Sequence, residues 1–308
     1  MARRKGGRKV DGWLVVDKPL GVTSTQVVGR VRRLFDAQKV GHGGTLDPLA
    51  TGVLPVALGE ATKTVAYAMD GTKRYRFTLR WGEATTTDDA EGAVIETAER
   101  RPGEAEIRAV LPRFTGTISQ VPPRFSAVKV EGQRAYDLAR ADEAVELTPR
   151  LVRIDAFELL ERPDADHAVF AVTCGKGAYM RALARDLGRA LGTVAHVVQL
   201  RRVAVGPFTE AGAISLDSLE ALGHGPALLE RLLPVETALD DIPALALTEA
   251  EAQRLRCGQA VSLMARVHRD RLRNLTQGSL VCATAGGRLV AVARYEAGEV
   301  HPVRVLNL

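Results

Sequence analysis

The spacing of apolar residues changes from segment to segment along the chain, and each spacing predicts an element. Residues 13–16 form an unbroken apolar run, short enough for a buried strand, that stops at Asp17-Lys18-Pro19 and turns at Gly21. Thr23 with Gln26 matches a capping box. After it Val27, Val28, Val31, Leu34 and Phe35 recur at helical spacing, with Arg30, Arg32 and Arg33 facing elsewhere. An amphipathic helix with a basic outer side is expected there. Between Lys73 and Trp81 strict alternation puts Tyr75, Phe77, Leu79 and Trp81 on one face and Arg74, Arg76, Thr78 and Arg80 on the other, the pattern of a half-buried strand. Further buried strands are expected at residues 53–58 and 168–174, and a helix near residues 104–114. The turn Gly175-Lys176-Gly177 leads into a helix carrying Tyr179, Leu183 and Leu187, with Arg181, Arg185 and Arg189 at spacings of four on one side. Residues 216–239 read as helical. Residues 40–52, VGHGGTLDPLATG, break all periodicity and read as a loop.

Beyond residues 240–243, Asp-Asp-Ile-Pro, the pattern changes. Thr248 and Glu251 cap one short helix, and strands are expected at residues 280–283, 289–295 and 300–306, joined at Gly286-Gly287 and Gly298. The division is therefore a flexible basic tail (1–10), a main domain (11–242) and a small β-rich domain (243–308). Strands and helices alternate only in part and several strands are adjacent, which predicts α+β rather than a doubly wound sheet.

Composition agrees with a folded globular chain: 46% hydrophobic, 26% charged and 5% aromatic over 308 residues. The net charge of +5 adds little, because Arg3, Arg4, Lys5, Arg8 and Lys9 alone supply five positive charges. A polyanion site must come from local clustering. Residues 121–140 offer one: Lys129, Arg134 and Arg140 interleave with Phe125 and Tyr136, a mixture that suits nucleic acid and equally a plain surface helix. Cys174, Cys257 and Cys282 are odd in number and far apart, so reduced thiols in the cytoplasm are expected. No apolar run approaches membrane-span length, and the basic start meets Asp11 and Gly12 where a signal peptide needs its apolar core.

Candidate chemistry centres on Asp47. It precedes Pro48, which holds it extended, follows Gly41, Gly43 and Gly44, which admit close approach of a ligand, and lies between the apolar Leu46 and Leu49. An Asp-Pro pair in a glycine-rich loop is usually just a turn. His42 in the same loop fits a base, a stacking group or a simple loop histidine. Several classes lack their signatures: there is no GxGxxG between strand and helix, no Walker spacing at Gly175-Lys176-Gly177, no HExxH or cysteine-histidine set, and no nucleophile elbow. No metal site is expected.

Six segments in order, DKPLGVTS (17–24), GHGGTLDPLATGVLP (41–55), KRYRFTLRWG (73–82), VPPRFSAVKVEGQRAYDLAR (121–140), GKGAYMRALARDLG (175–188) and LRR (200–202), resemble the bacterial tRNA pseudouridine-55 synthase family of the TruB type, from Trp13 nearly to the end of the chain. The resemblance implies that Asp47 is the catalytic aspartate, that Tyr75 packs against the target base, and that Arg181 pairs with the aspartate. It places His42 beside the flipped nucleotide, Leu200 in the pocket lining and Tyr179 among the substrate contacts. Lys129 and Arg134 would then read the shape of a T-loop through its backbone. Ala178 stands where the family pattern expects Thr, and Met180 replaces a branched aliphatic residue; Tyr179 and Arg181 keep their register. The implied protein is a cofactor-free cytoplasmic isomerase acting as a monomer on tRNA, with no membrane and no obligatory protein partner; its implied fold is an α+β catalytic domain with a mixed, largely antiparallel sheet flanked by helices, and a small C-terminal β-rich PUA-like module at 243–308. Two other readings use the same residues: an RNA-binding or tRNA-folding module without chemistry, and a nucleoside or glycoside hydrolase, which normally needs a second carboxylate or a metal aspartate cluster.

Overall fold

The computed structural model describes residues 6–125, 147–263 and 275–308, together with the backbone alone of 129–130 and 133–134. The strands of the main sheet are β1 (Gly12–Lys18), β2 (Val40–His42), β3 (Ala50–Leu58), β4 (Lys73–Trp81), β5 (Gly116–Gln120), β6 (Arg150–Glu161), β7 (His167–Cys174), β8 (Ala195–Val205), β9 (Phe208–Thr209) and β10 (Ile214–Ser215). Their order is β10-β1-β3-β8-β4-β7-β6-β5, with β2 added beside β3 and β9 beside β8. Only β1 with β10 and β3 with β8 run parallel. The sheet is thus mixed and largely antiparallel, and the fold is α+β.

Helices cover it according to their apolar stripes. Helix α1 (Ser24–Leu34) starts with the expected capping box of Thr23 and Gln26 and buries Val27 and Val31. Together with Leu14, Val16, Leu54 and Val56 these form one core. Helices α2 (Val65–Asp70), α3 (Glu104–Val110) and α4 (Met180–Ala190) follow in the chain. Leu183, Ala184 and Leu187 of α4 meet Phe77, Leu79, Ile107 and Phe170 in a second core. Tyr75 and Leu200 pack against both cores, so they mark the seam in the middle of the sheet. A cleft opens at that seam.

The C-terminal residues build a second sheet, β11 (Ala244–Ala246), β12 (Val261–Ser262), β13 (Leu280–Ala285), β14 (Arg288–Glu296) and β15 (Glu299–Val305), in the order β11-β13-β14-β15-β12. It has its own core around Leu255, Val281, Ala291 and Val300. A further core joins it to the main sheet, with Cys282, Leu289, Val292 and Leu306 against Trp13, Val15 and Val53.

Several expectations change. Within residues 40–52, read as all loop, β2 pairs with β3 at Val40↔Leu58, Gly41↔Ala57 and His42↔Val56, and β3 begins at Ala50; glycines that spoil periodicity still supply backbone donors and acceptors to a ladder. The single helix expected over 216–239 is broken into α5 (Leu216–Ala221), α6 (Pro226–Leu229) and a 3-10 turn (Val235–Leu239), because Gly223 takes a left-handed φ of 60° and Pro226 and Pro234 start new turns. Tyr179 is the extended cap preceding α4, its carbonyl accepting from the Leu183 N–H at 3.1 Å. Among the described residues of the span expected as flexible tail, the Gly7 carbonyl accepts from the Gln38 side chain at 2.8 Å, Arg8 bridges to Ala37, and Val10 is buried. Strands β5, β6 and β8 carry no clean period-two signal and were not expected.

Candidate active site

Asp47 lies in the seven residues between β2 and β3, and its neighbours fix this loop from three directions. From α1, the buried Ser24 hydroxyl donates to the Leu46 carbonyl (3.0 Å) and accepts from the Leu46 N–H (2.9 Å), while the Leu46 side chain enters the α1 core. From the end of β1, the fully buried Lys18 ammonium donates to the carbonyls of Val22 (2.6 Å), Pro19 (2.9 Å) and Pro48 (3.2 Å). From β8, the buried Arg202 guanidinium donates to the carbonyls of Val53 (2.8 Å), Gly44 (3.0 Å) and Thr45 (3.4 Å). Burial pulls the Lys18 pKa down to about 8, against the upward pull of Asp47. The backbone of Asp47 is held on both sides, and its carboxylate is left half-exposed at 43%.

That carboxylate meets one partner. Arg181, in the first turn of α4, is buried, and its Nη2 lies 2.8 Å from Asp47 Oδ2. The same guanidinium reaches Asp89 Oδ2 with Nη1 at 3.4 Å and donates to the carbonyls of Thr87 (3.0 Å) and Phe125 (2.8 Å). Asp89 is itself buried and is held by the Thr87 hydroxyl and the Glu91 N–H. Arg181 therefore spans two carboxylates, one buried and one open to the cleft. A permanently charged, planar donor fixed on both edges keeps the exposed carboxylate aimed.

The cleft beside Asp47 holds about 250 Å³ of open space and is lined by Asp47, Lys73, Tyr75, Tyr179, Leu200 and Arg202, among others. Tyr75 and Leu200 supply its apolar floor. Burial raises the Tyr75 phenol pKa, opposed by the adjacent Arg202. Tyr179 is set by Gln120, whose side chain accepts from the Tyr179 N–H (2.8 Å) and donates to its carbonyl (3.1 Å). His42 sits at the loop entrance, half-buried, and accepts from the Gly44 N–H through Nδ1 at 3.3 Å. Asp47, Tyr75, Tyr179, Arg181 and Leu200 thus share one cleft. The side chains of Lys129 and Arg134 lie outside the described residues. Among the described residues no group of three or more His, Cys, Asp or Glu has the arrangement of a metal site, and no helix is long and apolar enough to cross a membrane.

Sequence reasoning missed Asp89, Asp88 and Gln120. Asp88 and Asp89 end a polar run, TTTDD, that has no periodicity, and only the fold sets them opposite α4. Lys18 and Arg202 lay within the motifs DKPLGVTS and LRR, but their work on the Asp47 loop spans 30 and 158 residues and has no local signal.

Comparison with known proteins identifies the family. The chain matches the TruB family pseudouridylate synthase N-terminal domain over residues 32–180 and the tRNA pseudouridylate synthase B C-terminal domain over residues 181–240. It is 60% identical to the tRNA pseudouridine synthase B of Rhodospirillum rubrum over 100% of both chains. It is 54% identical to that of Caulobacter vibrioides, again over 100% of both. Among solved structures, a Cbf5-Nop10-Gar1 complex matches with a TM-score of 0.70 and 27% identity, covering 92% of this chain and 78% of the other. An H/ACA ribonucleoprotein bound to a substrate RNA containing 2'-deoxyuridine shares the fold, with a TM-score of 0.73 and 24% identity over 96% and 85% of the two chains. An arginine-held aspartate beside an apolar-floored cleft, on a chain alike from end to end, leads to one conclusion: the chain belongs to the TruB family of pseudouridylate synthases and is an isomerase.

Proposed function

We propose that the chain converts uridine 55 in the T-loop of tRNA to pseudouridine, with Asp47 as the catalytic carboxylate. The observation that carries this reading is the Arg181 bridge between the half-exposed Asp47 and the buried Asp89 at the mouth of the Tyr75–Leu200 cleft. In the reaction the C1′–N1 bond breaks, the uracil turns, and a C1′–C5 bond forms; C5 loses a proton and N1 gains one. Nothing is added or removed, so the residues present suffice without a redox partner, a hydrolytic water or a cofactor. The chemistry asks for a carboxylate facing an electron-poor sugar carbon and a pocket that retains the detached base. Asp47 supplies the first.

A stacked base cannot reach a carboxylate inside a cleft, so the uridine is extruded, and Tyr75 and Leu200 receive it. His42 and Tyr179 flank the entry and contact the RNA around the flipped nucleotide. Lys129 and Arg134 contact the backbone of the T-stem-loop, whose shape supplies recognition. Residues 11–242 form the catalytic domain. Residues 243–308, with their separate sheet and core, act as a PUA-like RNA-binding domain. The protein works as a monomer in the cytoplasm, where its tRNA substrate is, and needs no protein partner. The curated relatives named tRNA pseudouridine synthase B, alike over the full length, support the choice of tRNA.

The test is to map pseudouridine in tRNA from cells with and without the protein and to repeat the reaction on a T-stem-loop transcript. Loss of pseudouridine at position 55 alone, and its appearance in the transcript, is the expected result. Release of free uracil would replace the isomerase by a hydrolase, and tight binding without modification would leave only a binding module.

A further inference from the structure

Arg185 lies one helical turn beyond Arg181 on α4, and its guanidinium copies the other's pattern of contacts. Arg181 uses Nη1 for the carbonyl of Thr87 and the carboxylate of Asp89, and Nη2 for the carbonyl of Phe125. Arg185 uses Nη1 for the carboxylate of Asp88 at 3.0 Å and Nη2 for the carbonyl of Val121 at 2.8 Å, with Nε on Asp186 at 2.9 Å. The two arginines are parallel rungs between the same two chain segments, 87–89 and 121–125. The upper rung also touches Asp47. The lower one does not.

The lower rung meets the turn that carries Asp89. Asp88 has a left-handed φ of 60°, a costly backbone state for a residue with a Cβ. Its carboxyl is pushed up by burial and pulled down by Arg185. Its backbone carbonyl accepts from the Val197 N–H at 3.1 Å, which seats the turn on β8 beside the bulge at Val197–Gln199. Asp89, the buried anchor of Arg181, is the next residue.

From this geometry we infer that Arg185 is a positioning residue for the isomerisation: by clamping Asp88 and the Val121 carbonyl it sets the two segments that aim Arg181, and through Arg181 the carboxylate of Asp47. It touches neither the substrate nor the reacting atoms. The inference rests on the reading of Asp47 and Arg181 given under the proposed function.

The test compares single-turnover rates at saturating enzyme, RNA affinity and thermal unfolding for Arg185→Met, Arg185→Lys, Arg181→Lys and the double variant Arg181→Lys/Arg185→Met, on a T-stem-loop transcript. Arg185→Met should react about ten- to a hundredfold more slowly, the loss expected when a reacting group is misaimed by about an ångström. Its Kd for the RNA should stay within about threefold. Arg185→Lys keeps the charge but can reach only part of the three partners, Asp88, Asp186 and the Val121 carbonyl, and should fall between wild type and Arg185→Met. Because Arg185 acts through Arg181, the double variant should be clearly faster than the product of the two single losses predicts. A lower unfolding temperature with a normal rate would make Arg185 a structural staple only. Weaker RNA binding with a normal rate at saturation would make it a phosphate contact. Losses that multiply in the double variant would show that it does not act through Arg181, and each of these three results overturns the inference. Pseudouridine formation by the wild type on the same transcript tests the underlying reaction separately, since the inference is read only from ratios between variants.

Discussion

The Lys18 ammonium and the Pro48 carbonyl, 3.2 Å apart, join the end of the first strand to the residue directly after the candidate catalytic aspartate. Lys18 is wholly buried, and its three acceptors are all backbone carbonyls, so one ammonium group ties the Pro48 side of the Asp47 loop to the turn after β1.

With the Lys18 pKa pulled down to about 8 by burial, the group begins to lose its charge just above physiological pH. A neutral amine has two protons for three carbonyls. The single-turnover rate should therefore bend downward as pH rises through about 8, and a profile flat from about pH 7 to about pH 9 would show that the charge is not what holds the loop. Stability should move the other way. The folded chain releases this proton near pH 8 and the unfolded chain near 10.5, so the cost of burying the ammonium is full below 8 and fades between those values. Lys18→Met should remove that rise in a denaturant series while slowing the reaction at every pH.

Asp47→Asn keeps the size of the side chain and removes only its charge. Isomerisation should be abolished while RNA affinity stays within about tenfold, as measured by single turnover and filter binding. Substantial turnover by a clean preparation would take Asp47 out of its assigned role.

Arg181→Lys keeps the charge but offers one nitrogen where four partners, Asp47, Asp89 and the carbonyls of Thr87 and Phe125, now share a planar fork. The rate at saturating enzyme should fall on the order of a hundredfold with little change in RNA binding. Weak binding with a normal saturated rate would make Arg181 a phosphate ligand instead.

Gly52 has φ of 98°, and a Cβ there would stand 2.2 Å from the carbonyl oxygen of Arg202, its partner across the parallel pair of β3 and β8. Gly52→Ala should cost on the order of 3 kcal/mol in thermal or urea unfolding, from both strain and clash. Gly212, with no atom near its missing Cβ, is the matching control and should tolerate Ala with almost no change.

Features carried by nearest neighbours could be read from the chain alone: the Thr23–Gln26 cap, the alternating β4, the Thr248–Glu251 cap and the hairpin at Gly286-Gly287. The central strand β8 could not. Its sequence AHVVQLRRVAV mixes buried arginine with two bulges, and Arg202 is buried only because its guanidinium finds three carbonyls that lie far away in sequence. The same holds in the site. Asp47, Tyr75, Arg181 and Leu200 sit in motifs specific enough to be named beforehand, whereas Asp89 became visible only when the fold set a featureless polar turn opposite α4.

Because β8 is inserted between β3 and β4, two strands made long before it, completion of the Asp47 cleft has a fixed place in the schedule of synthesis. Neither Arg181 nor the Leu200 wall exists when the Asp47 loop leaves the ribosome, and the gap in the sheet stays open until residue 205 has emerged. At about 5–20 residues per second that interval is on the order of ten seconds, during which two neighbouring strands present unpaired edges. A nascent chain thus has an incomplete cleft and open strand edges in the same window, and both conditions end with one event, the docking of β8.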